Sequence, residues 1–186
     1  MRQIVSAPFF IAGGALAGVA SAYVAAQMLG TTAAAVDSNW KSRDISAASA
    51  VHPYTIAHFL LAGRLPPSVG QFVELSADRD AEGQPVTAAC IYTLSLKAGK
   101  APHWWSLSAY AGGQTSSNSA IMSQTSVFES DGSVRVTVAR EPQPGNWLKA
   151  PASGYYSLLY TASENKAGTS GRPSMPEMFS MARSGC

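Results

Sequence analysis

An uncharged run from Ala7 to Leu29, APFFIAGGALAGVASAYVAAQML, limits what this chain can fold into more than any other feature. About 23 residues with a rise of about 1.5 Å each form a helix of about 34 Å. That length crosses the hydrocarbon core of a bilayer, which is about 30 Å thick, with little tilt. The sequence therefore predicts a transmembrane anchor within residues 1–30.

The charges around this run indicate its orientation. Arg2 and the α-amino group precede the run, and the first charges after it nearly cancel: Asp37, Lys41, Arg43 and Asp44. The positive-inside rule then favours an N-terminus in the cytoplasm and the rest of the chain outside.

A cleavable signal peptide is the alternative interpretation of the same run. Ala20-Ser-Ala22 is an acceptable small-residue cleavage site, and Ala7–Val19 could serve as the apolar region before it. The apolar stretch continues beyond that site to Leu29, which favours an uncleaved anchor. Both interpretations place the remaining domain outside the cytoplasm.

Small residues recur every four positions along the predicted helix, at Gly14, Gly18, Ala22, Ala26 and Gly30. Such a row lets the backbone of a second helix approach closely, so it predicts packing against a membrane protein partner. Because Ala and Gly make up about half of the segment, composition alone could also produce this spacing.

Residues 31–50 are small and polar, which predicts a juxtamembrane connector in which Trp40 lies at the membrane interface or caps the domain. Pro53 suits a helix start, and apolar residues then recur at helical spacing up to Leu61. Gly63 and Pro66-Pro67 are typical of a helix end. We expect this to be the one helix of an outer domain that covers residues 51–186.

After this helix the apolar pattern changes to a period of two, which predicts strands. The predicted strands are Phe72–Ser76, Ala88–Leu96, His103–Tyr110, Ala120–Glu129, Ser133–Ala139 and Gly154–Thr161. Asp131-Gly132 predicts a hairpin turn between the fourth and fifth. The expected fold class is mainly β, a jelly-roll-like β-sandwich with one short helix, preceded by a single transmembrane helix.

The chain has two cysteines, Cys90 and Cys186. They form a disulfide in an oxidising compartment, or they are two free buried thiols. A bridge would be worth roughly 4–5 kcal/mol in the chain-entropy model. It would also hold the polar tail Met181–Cys186, which we otherwise expect to fray.

Charge and motifs argue against several function classes. The formal net charge is +2, and no run of Lys and Arg could neutralise several phosphates, so nucleic-acid binding is not expected. The sequence contains no P-loop, no GxGxxG and no GxSxG, which leaves nucleotide cofactors and a serine nucleophile without support. Ser163–Lys166 matches SxxK by letters alone.

No metal site is predicted either. His52 and His58 are six residues apart and fall on different helix faces, while His103 stands alone. Asp78–Gly83 resembles the first half of a calcium loop, but Ala89 occupies the position of the final carboxylate, so we expect a solvated turn. The sequence predicts no catalytic residue and no cofactor, and it favours a protein that is not an enzyme.

The stretch from His103 to Tyr160 resembles the bacterial domain of unknown function 1214, also found as the C-terminal half of larger proteins. The matching pieces are Trp105-Ser-Leu-Ser-Ala-Tyr110, Phe128-Glu-Ser-Asp-Gly-Ser133 and Pro142-Gln-Pro-Gly-Asn-Trp-Leu-Lys-Ala-Pro151, followed by the strand Tyr155–Tyr160. The resemblance implies a jelly-roll-like β fold and no established reaction. Ala111-Gly-Gly113 stands where the family usually has an acidic turn.

The chain also looks similar to short, stand-alone members of alphaproteobacterial type. The shared features are Pro53-Tyr54, Cys90-Ile-Tyr92 and Gly185-Cys186, besides a membrane helix. This similarity favours the Cys90–Cys186 bridge. Together with the predicted anchor and its orientation, a bacterial family indicates a protein that crosses the inner membrane once and places its domain in the periplasm.

Two functional hypotheses follow. The first is a membrane-anchored accessory or structural protein whose helix packs within a membrane protein assembly. The second is a ligand-binding or enzymatic sandwich in which a set of side chains faces a small ligand: Tyr92, Trp104, Trp105, Asn146 and Trp147. For Asn146 and Trp147 a structural role is favoured, since Gly145-Asn146 can turn the chain and Trp147 can plug the end of the sandwich.

Overall fold

The computed structural model describes residues 6–29, 34–35, 39–42, 53–61, 72–111, 119–163 and 177–186. These contain two helices, α1 (Ser6–Leu29) and α2 (Pro53–Leu61). The strands are β1 (Ala34–Ala35), β2 (Lys41–Ser42), β3 (Phe72–Ala77), β4 (Ile91–Leu96), β5 (Trp105–Ala111), β6 (Ala120–Met122), β7 (Val134–Ala139), β8 (Asn146–Lys149), β9 (Tyr156–Ser163) and β10 (Ser180–Gly185).

The chain divides into two compact units, which are interleaved in sequence. The helical unit contains α1 and α2, and the β unit contains the strands, including β1 and β2 from the predicted connector. The helix at Pro53–Leu61, which the sequence assigned to the outer domain, therefore groups with α1.

The helix α1 confirms the predicted apolar helix. Pro8 lies in its first turn, where a backbone N–H has no intrahelical partner to lose. Its few polar side chains bond within the helix: Ser21 Oγ donates to the Gly18 carbonyl at 2.9 Å, and Gln27 Nε2 donates to Tyr23 Oη at 3.3 Å. Pro8–Met28, with a mean hydropathy of 1.8, has the length and composition of a membrane span or a signal sequence.

The β unit consists of two sheets that share one core. The larger has the order β1-β2-β3-β9-β5-β6 and is antiparallel throughout. The smaller has the order β10-β4-β7-β8, in which β7 and β8 run parallel. This confirms the mainly β, sandwich-like fold, with one parallel pair that an all-antiparallel jelly roll does not have.

Strict alternation builds the core from both sheets. Val134, Val136 and Val138 of β7 are buried in register with β4, and every second residue of β9 from Tyr156 to Ala162 is buried. The period-two pattern in the sequence therefore reports which face of each strand packs inward.

Trp40, which the sequence placed either at the membrane interface or as a cap of the domain, is part of the core of the β unit. It is fully buried, and its Nε1 donates to the Phe179 carbonyl at 2.6 Å. This bond joins the chain just before β2 in the larger sheet to the chain just before β10 in the smaller one.

Two details of the predicted strands are wrong. The strand expected over Ala120–Glu129 ends at Met122, and the turn at Asp131-Gly132 does not form a β6–β7 hairpin, because β6 pairs with β5 whereas β7 pairs with β4 and β8. The local turn itself is present: Gly132 has φ +81°, and Ser133 N–H donates to Asp131 Oδ1 at 2.8 Å. Hydrogen bonding by Ser133, first from its side chain and then from its backbone N–H, lowers the pKa of Asp131.

The C-terminal residues form a strand that the sequence did not predict. The tail that a Cys90–Cys186 bridge was expected to hold forms β10, which pairs with β4 from Ser180↔Ser95 to Gly185↔Ile91. Sequence reasoning missed it because Ser-Met-Ala-Arg-Ser-Gly has no clear alternation and low β-propensity.

Candidate functional sites: an open helix face and a filled sandwich

Most of the α1 surface is apolar and uncovered. Phe9, Ile11 and Leu16 keep 79%, 73% and 73% of their side-chain surface exposed. In water, a continuous apolar surface of this extent would be unfavourable. The helix therefore presents a surface suited to lipid or to another apolar helix.

The small residues of α1 lie in two environments. A Cβ added at Gly14 or Gly18 would meet no heavy atom within 4 Å among the described residues, and Ala22 is exposed. Ala26, by contrast, is buried to 3%. Gly30 lies outside the described residues. The face is thus open over most of its length and closed near its C-terminal end.

Within the helical unit, α1 contacts α2. Phe59 of α2 is almost fully buried, while Leu60 and Leu61 remain exposed. A short helix with one buried aromatic residue and two exposed leucines covers only part of the apolar surface available in this unit.

Two of the aromatic residues proposed to face a ligand are part of the core. Tyr92 in β4 and Trp105 in β5 are fully buried. Tyr92 Oη accepts a hydrogen bond from Thr87 N–H at 3.0 Å, and the ring of Trp105 lies edge-on to Phe179 at a centroid distance of 5.1 Å. Both side chains fill the space between the sheets.

Trp104 and Trp147 are half-buried and lie at different sheets, because Trp104 directly precedes β5 of the larger sheet and Trp147 is in the smaller one. The ring of Trp104 packs edge-on against Phe72 at a centroid distance of 5.5 Å. Trp147 is in β8, and its Nε1 donates to the Ala139 carbonyl at 3.0 Å. The structure does not bring the five residues of the proposed ligand-facing set together at one site.

Asn146 is buried and uses its whole amide for structural contacts. Oδ1 accepts from Val127 N–H at 2.7 Å, and Nδ2 donates to the carbonyls of Val127 at 2.7 Å and Arg135 at 2.9 Å. The side chain thus pairs with Val127 as a neighbouring strand would, and it holds the loop after β6 against β7. These contacts leave the amide few remaining bonding positions for a ligand.

Two buried polar atoms have no hydrogen-bond partner among the described residues, Trp105 Nε1 and Tyr156 Oη. The register places Trp105 opposite Ala162 and Tyr156 opposite Ala111, which are the two ends of the β5–β9 pair. Burial raises the pKa of Tyr156, and the neighbouring Tyr92 raises it further. The two atoms are too far apart along the sheet to form one binding site.

The predicted disulfide is present between Cys90 and Cys186. Close to it is an ion pair that sequence reasoning missed: the Asp80 carboxylate is fully buried and binds the Arg183 guanidinium. Asp80 Oδ1 also accepts from Gln84 N–H at 2.8 Å. The prediction of a solvated turn was therefore wrong at Asp80, whereas its neighbour Asp78 is half-exposed and pairs with Lys41.

Among the described residues no group of three or more His, Cys, Asp or Glu side chains could hold a metal ion. His52 and most of the predicted connector lie outside those residues. Asp80 and Arg183 neutralise each other, and the acidic groups of the Asp78–Gly83 turn do not converge on one point.

Two solved structures are similar to part of this chain. The VPA0106 protein from Vibrio parahaemolyticus matches with a TM-score of 0.50 and 20% identity over 73% of this chain and 36% of that chain. An uncharacterised protein from Burkholderia cenocepacia matches with a TM-score of 0.45 and 15% identity over 63% of this chain and 30% of that one. The chain thus spans about a third of the length of these solved structures. No curated protein matches it.

The family described as "Protein of unknown function (DUF1214)" matches residues 71–166, which cover just over half of the chain and hold β3 to β9. These are the strands that supply most of both sheets and of the shared core. The chain belongs to the DUF1214 family.

Proposed function

We propose that this protein is a membrane-anchored accessory component of the bacterial envelope. Its α1 helix crosses the inner membrane once with the N-terminus in the cytoplasm, the β unit lies in the periplasm, and the helix packs within a membrane protein assembly. The observation that carries this proposal is the exposed apolar surface of α1, in contrast to a β unit that buries most of its apolar residues in one core.

The open face of α1 supports a protein partner in addition to lipid. Gly14 and Gly18 have free space above their Cα atoms, and Ala22 continues the same row. Close backbone approach at such positions provides van der Waals contact that lipid chains do not match. The disulfide supports a location outside the cytoplasm, because structural disulfides persist in oxidising compartments.

The filled sandwich supports an accessory role over a catalytic one. Tyr92, Trp105 and Asn146 are committed to packing and internal hydrogen bonds, and the proposed ligand-facing residues do not converge. A pocket with converging polar groups is what a small-molecule site requires.

The proposed assembly is tested by placing bulky side chains on the open face of α1. The double variant Gly14→Leu/Gly18→Leu should lose its partner when membranes are solubilised in mild detergent and the tagged protein is purified. The matched control is Gly13→Leu/Ala20→Leu, which adds similar bulk on the opposite face of the helix. Loss with the first pair alone is expected; retention of the same partners by both variants would contradict packing through this face.

The anchor is tested separately by the mass of the chain recovered from carbonate-washed membranes. An uncleaved anchor gives the full-length mass in the membrane fraction. A product that starts after Ala22 and appears in the soluble periplasmic fraction would contradict the anchor and show that the run is a cleaved signal peptide.

A further inference from the structure

The last described segment, residues 177–186, is attached to the β unit along its whole length, and we call it the strap. Its start lies in a socket of aromatic side chains. Phe179 is almost fully buried, with ring centroids 5.1 Å from Trp105 and 5.3 Å from Tyr160. Two side chains also bind its backbone: Trp40 Nε1 donates to the Phe179 carbonyl at 2.6 Å and Tyr160 Oη donates to the Glu177 carbonyl at 3.1 Å.

The middle of the strap is β10, which lies at the edge of its sheet and, among the described strands, pairs only with β4. Met181 lies opposite Leu94 and is buried in the core. Arg183 lies opposite Tyr92 and therefore on the same inward face, where it meets the buried Asp80. A charge directed inward on an edge strand discourages further strand pairing.

The end of the strap is held differently from its start. The β10–β4 register shifts between Arg183 and Gly185, and residues 182–186 are exposed. Ser184 Oγ and Thr93 Oγ1 are 2.6 Å apart, a bond that water can replace because both side chains are accessible. The covalent bond from Cys186 to the buried Cys90 is the strongest attachment at this end.

We propose that the Cys90–Cys186 disulfide is a redox-sensitive latch: when it is reduced, the strap detaches from Cys186 back towards Phe179, while the rest of the sandwich stays folded. The start of the strap is buried and hydrogen-bonded, whereas its end is exposed and is held by the disulfide and by the Arg183–Asp80 ion pair, which opens together with it. Residues 164–176 separate the strap from β9, so its release requires no change in the β3–β9–β5 pairing.

The chemistry is exchange with a dithiol reductant. A thiolate of the reductant attacks Sγ of the exposed Cys186, and Sγ of Cys90 leaves as a thiolate that takes up a proton. The second thiol of the reductant then resolves the mixed disulfide, which frees the Cys186 thiol and leaves the reductant as a disulfide. Two electrons and two protons reach the protein. Release of the strap uncovers the backbone edge of β4, which a strand of another chain could pair with.

The test is hydrogen exchange of the full-length protein in detergent micelles, before and after reduction with dithiothreitol. In the reduced protein, amides of residues 183–185 should exchange about tenfold faster or more, those near Phe179 should change less, and β5 and β9 should keep their protection. The Cys186→Ser variant should match the reduced protein without any reductant. As a control, Ala182→Ser alters an exposed strap residue and should leave exchange unchanged in the oxidised state.

Two results would overturn the proposal. Unchanged exchange in the strap after complete reduction would show that the disulfide does not hold it. Equal acceleration in the strap, β5 and β9 would show that the strap and the sandwich open as one unit. The Phe179→Ala variant tests the attachment at the start of the strap. In the oxidised protein it should speed exchange near residue 179 and leave residues 183–185 protected.

Discussion

α1 and the β unit use apolar residues in opposite ways. Leu16 in α1 is 73% exposed, whereas Leu158 in β9 is fully buried. The difference lies in the period: apolar residues surround α1 on every side, while in the strands they alternate and so face one shared interior. Hydrophobic content alone therefore does not decide burial. The β unit forms an apolar core from its own side chains, whereas α1 needs an apolar environment from outside.

The largest expected effect comes from the same substitution made in both regions. Leu158→Ala leaves a cavity between the sheets and should lower the free energy of unfolding of the β unit by about 2–5 kcal/mol. Leu16→Ala should change it by less than about 0.5 kcal/mol, because that side chain is not part of the core. Denaturant unfolding in detergent can be followed by tryptophan fluorescence, since all four tryptophans belong to the β unit. Equal losses of unfolding free energy in the two variants would contradict this difference between α1 and the β unit.

A second comparison, within the β unit, is between a buried and an exposed ion pair. Asp80→Asn removes the charge that compensates Arg183 and should cost about 1.5–3 kcal/mol. Asp78→Asn breaks the exposed pair with Lys41, in which the side chains are 40% and 50% exposed, and should cost less than about 1 kcal/mol. The same unfolding experiment measures both. If Asp78→Asn cost as much as Asp80→Asn, burial would not be what distinguishes the pairs.

The smallest effect at neutral pH is expected from Tyr156→Phe. Its Oη has no partner among the described residues, so the loss at pH 7 should stay below about 1 kcal/mol. Burial raises the pKa of Tyr156 above that of an unfolded tyrosine, which is about 10. The neutral phenol thus stabilises the fold fully below pH about 10, and this contribution is lost as pH rises towards the folded pKa.

Unfolding free energies at neutral and strongly alkaline pH measure this loss. The wild-type protein should lose stability on going to alkaline pH, and Tyr156→Phe should lose less. The exposed Tyr155 provides the control: Tyr155→Phe should follow the wild-type protein at both pH values. An alkaline loss that Tyr156→Phe leaves unchanged would assign the effect to other groups.

The sequence predicted those parts of the fold that depend on local pattern. The uncharged run gave α1, and the alternation of Val134, Val136 and Val138 gave β7 with its buried face. The period-two pattern also predicted the mainly β fold. The disulfide between Cys90 and Cys186 followed from two cysteines in an oxidising compartment and a family resemblance.

What the sequence did not predict depends on pairing between distant residues. β10 exists because β4 offers an edge, and Arg183 is directed inward, where it binds the buried Asp80. Ala34–Ala35 and Lys41–Ser42 are too short to form strands by propensity and do so by extending the β3 edge. The sequence placed Asn146 and Trp147 near a turn. It could not predict their hydrogen-bond partners, which are Val127, Arg135 and Ala139.

The contacts of Asn146 depend on one atom of its side chain. An Asn146→Asp substitution would exchange Nδ2, which donates to the carbonyls of Val127 and Arg135, for a carboxylate oxygen that repels both. The segment between β6 and β7, which carries the exposed Val127 and Phe128, would then lose this attachment although no neighbouring residue had changed.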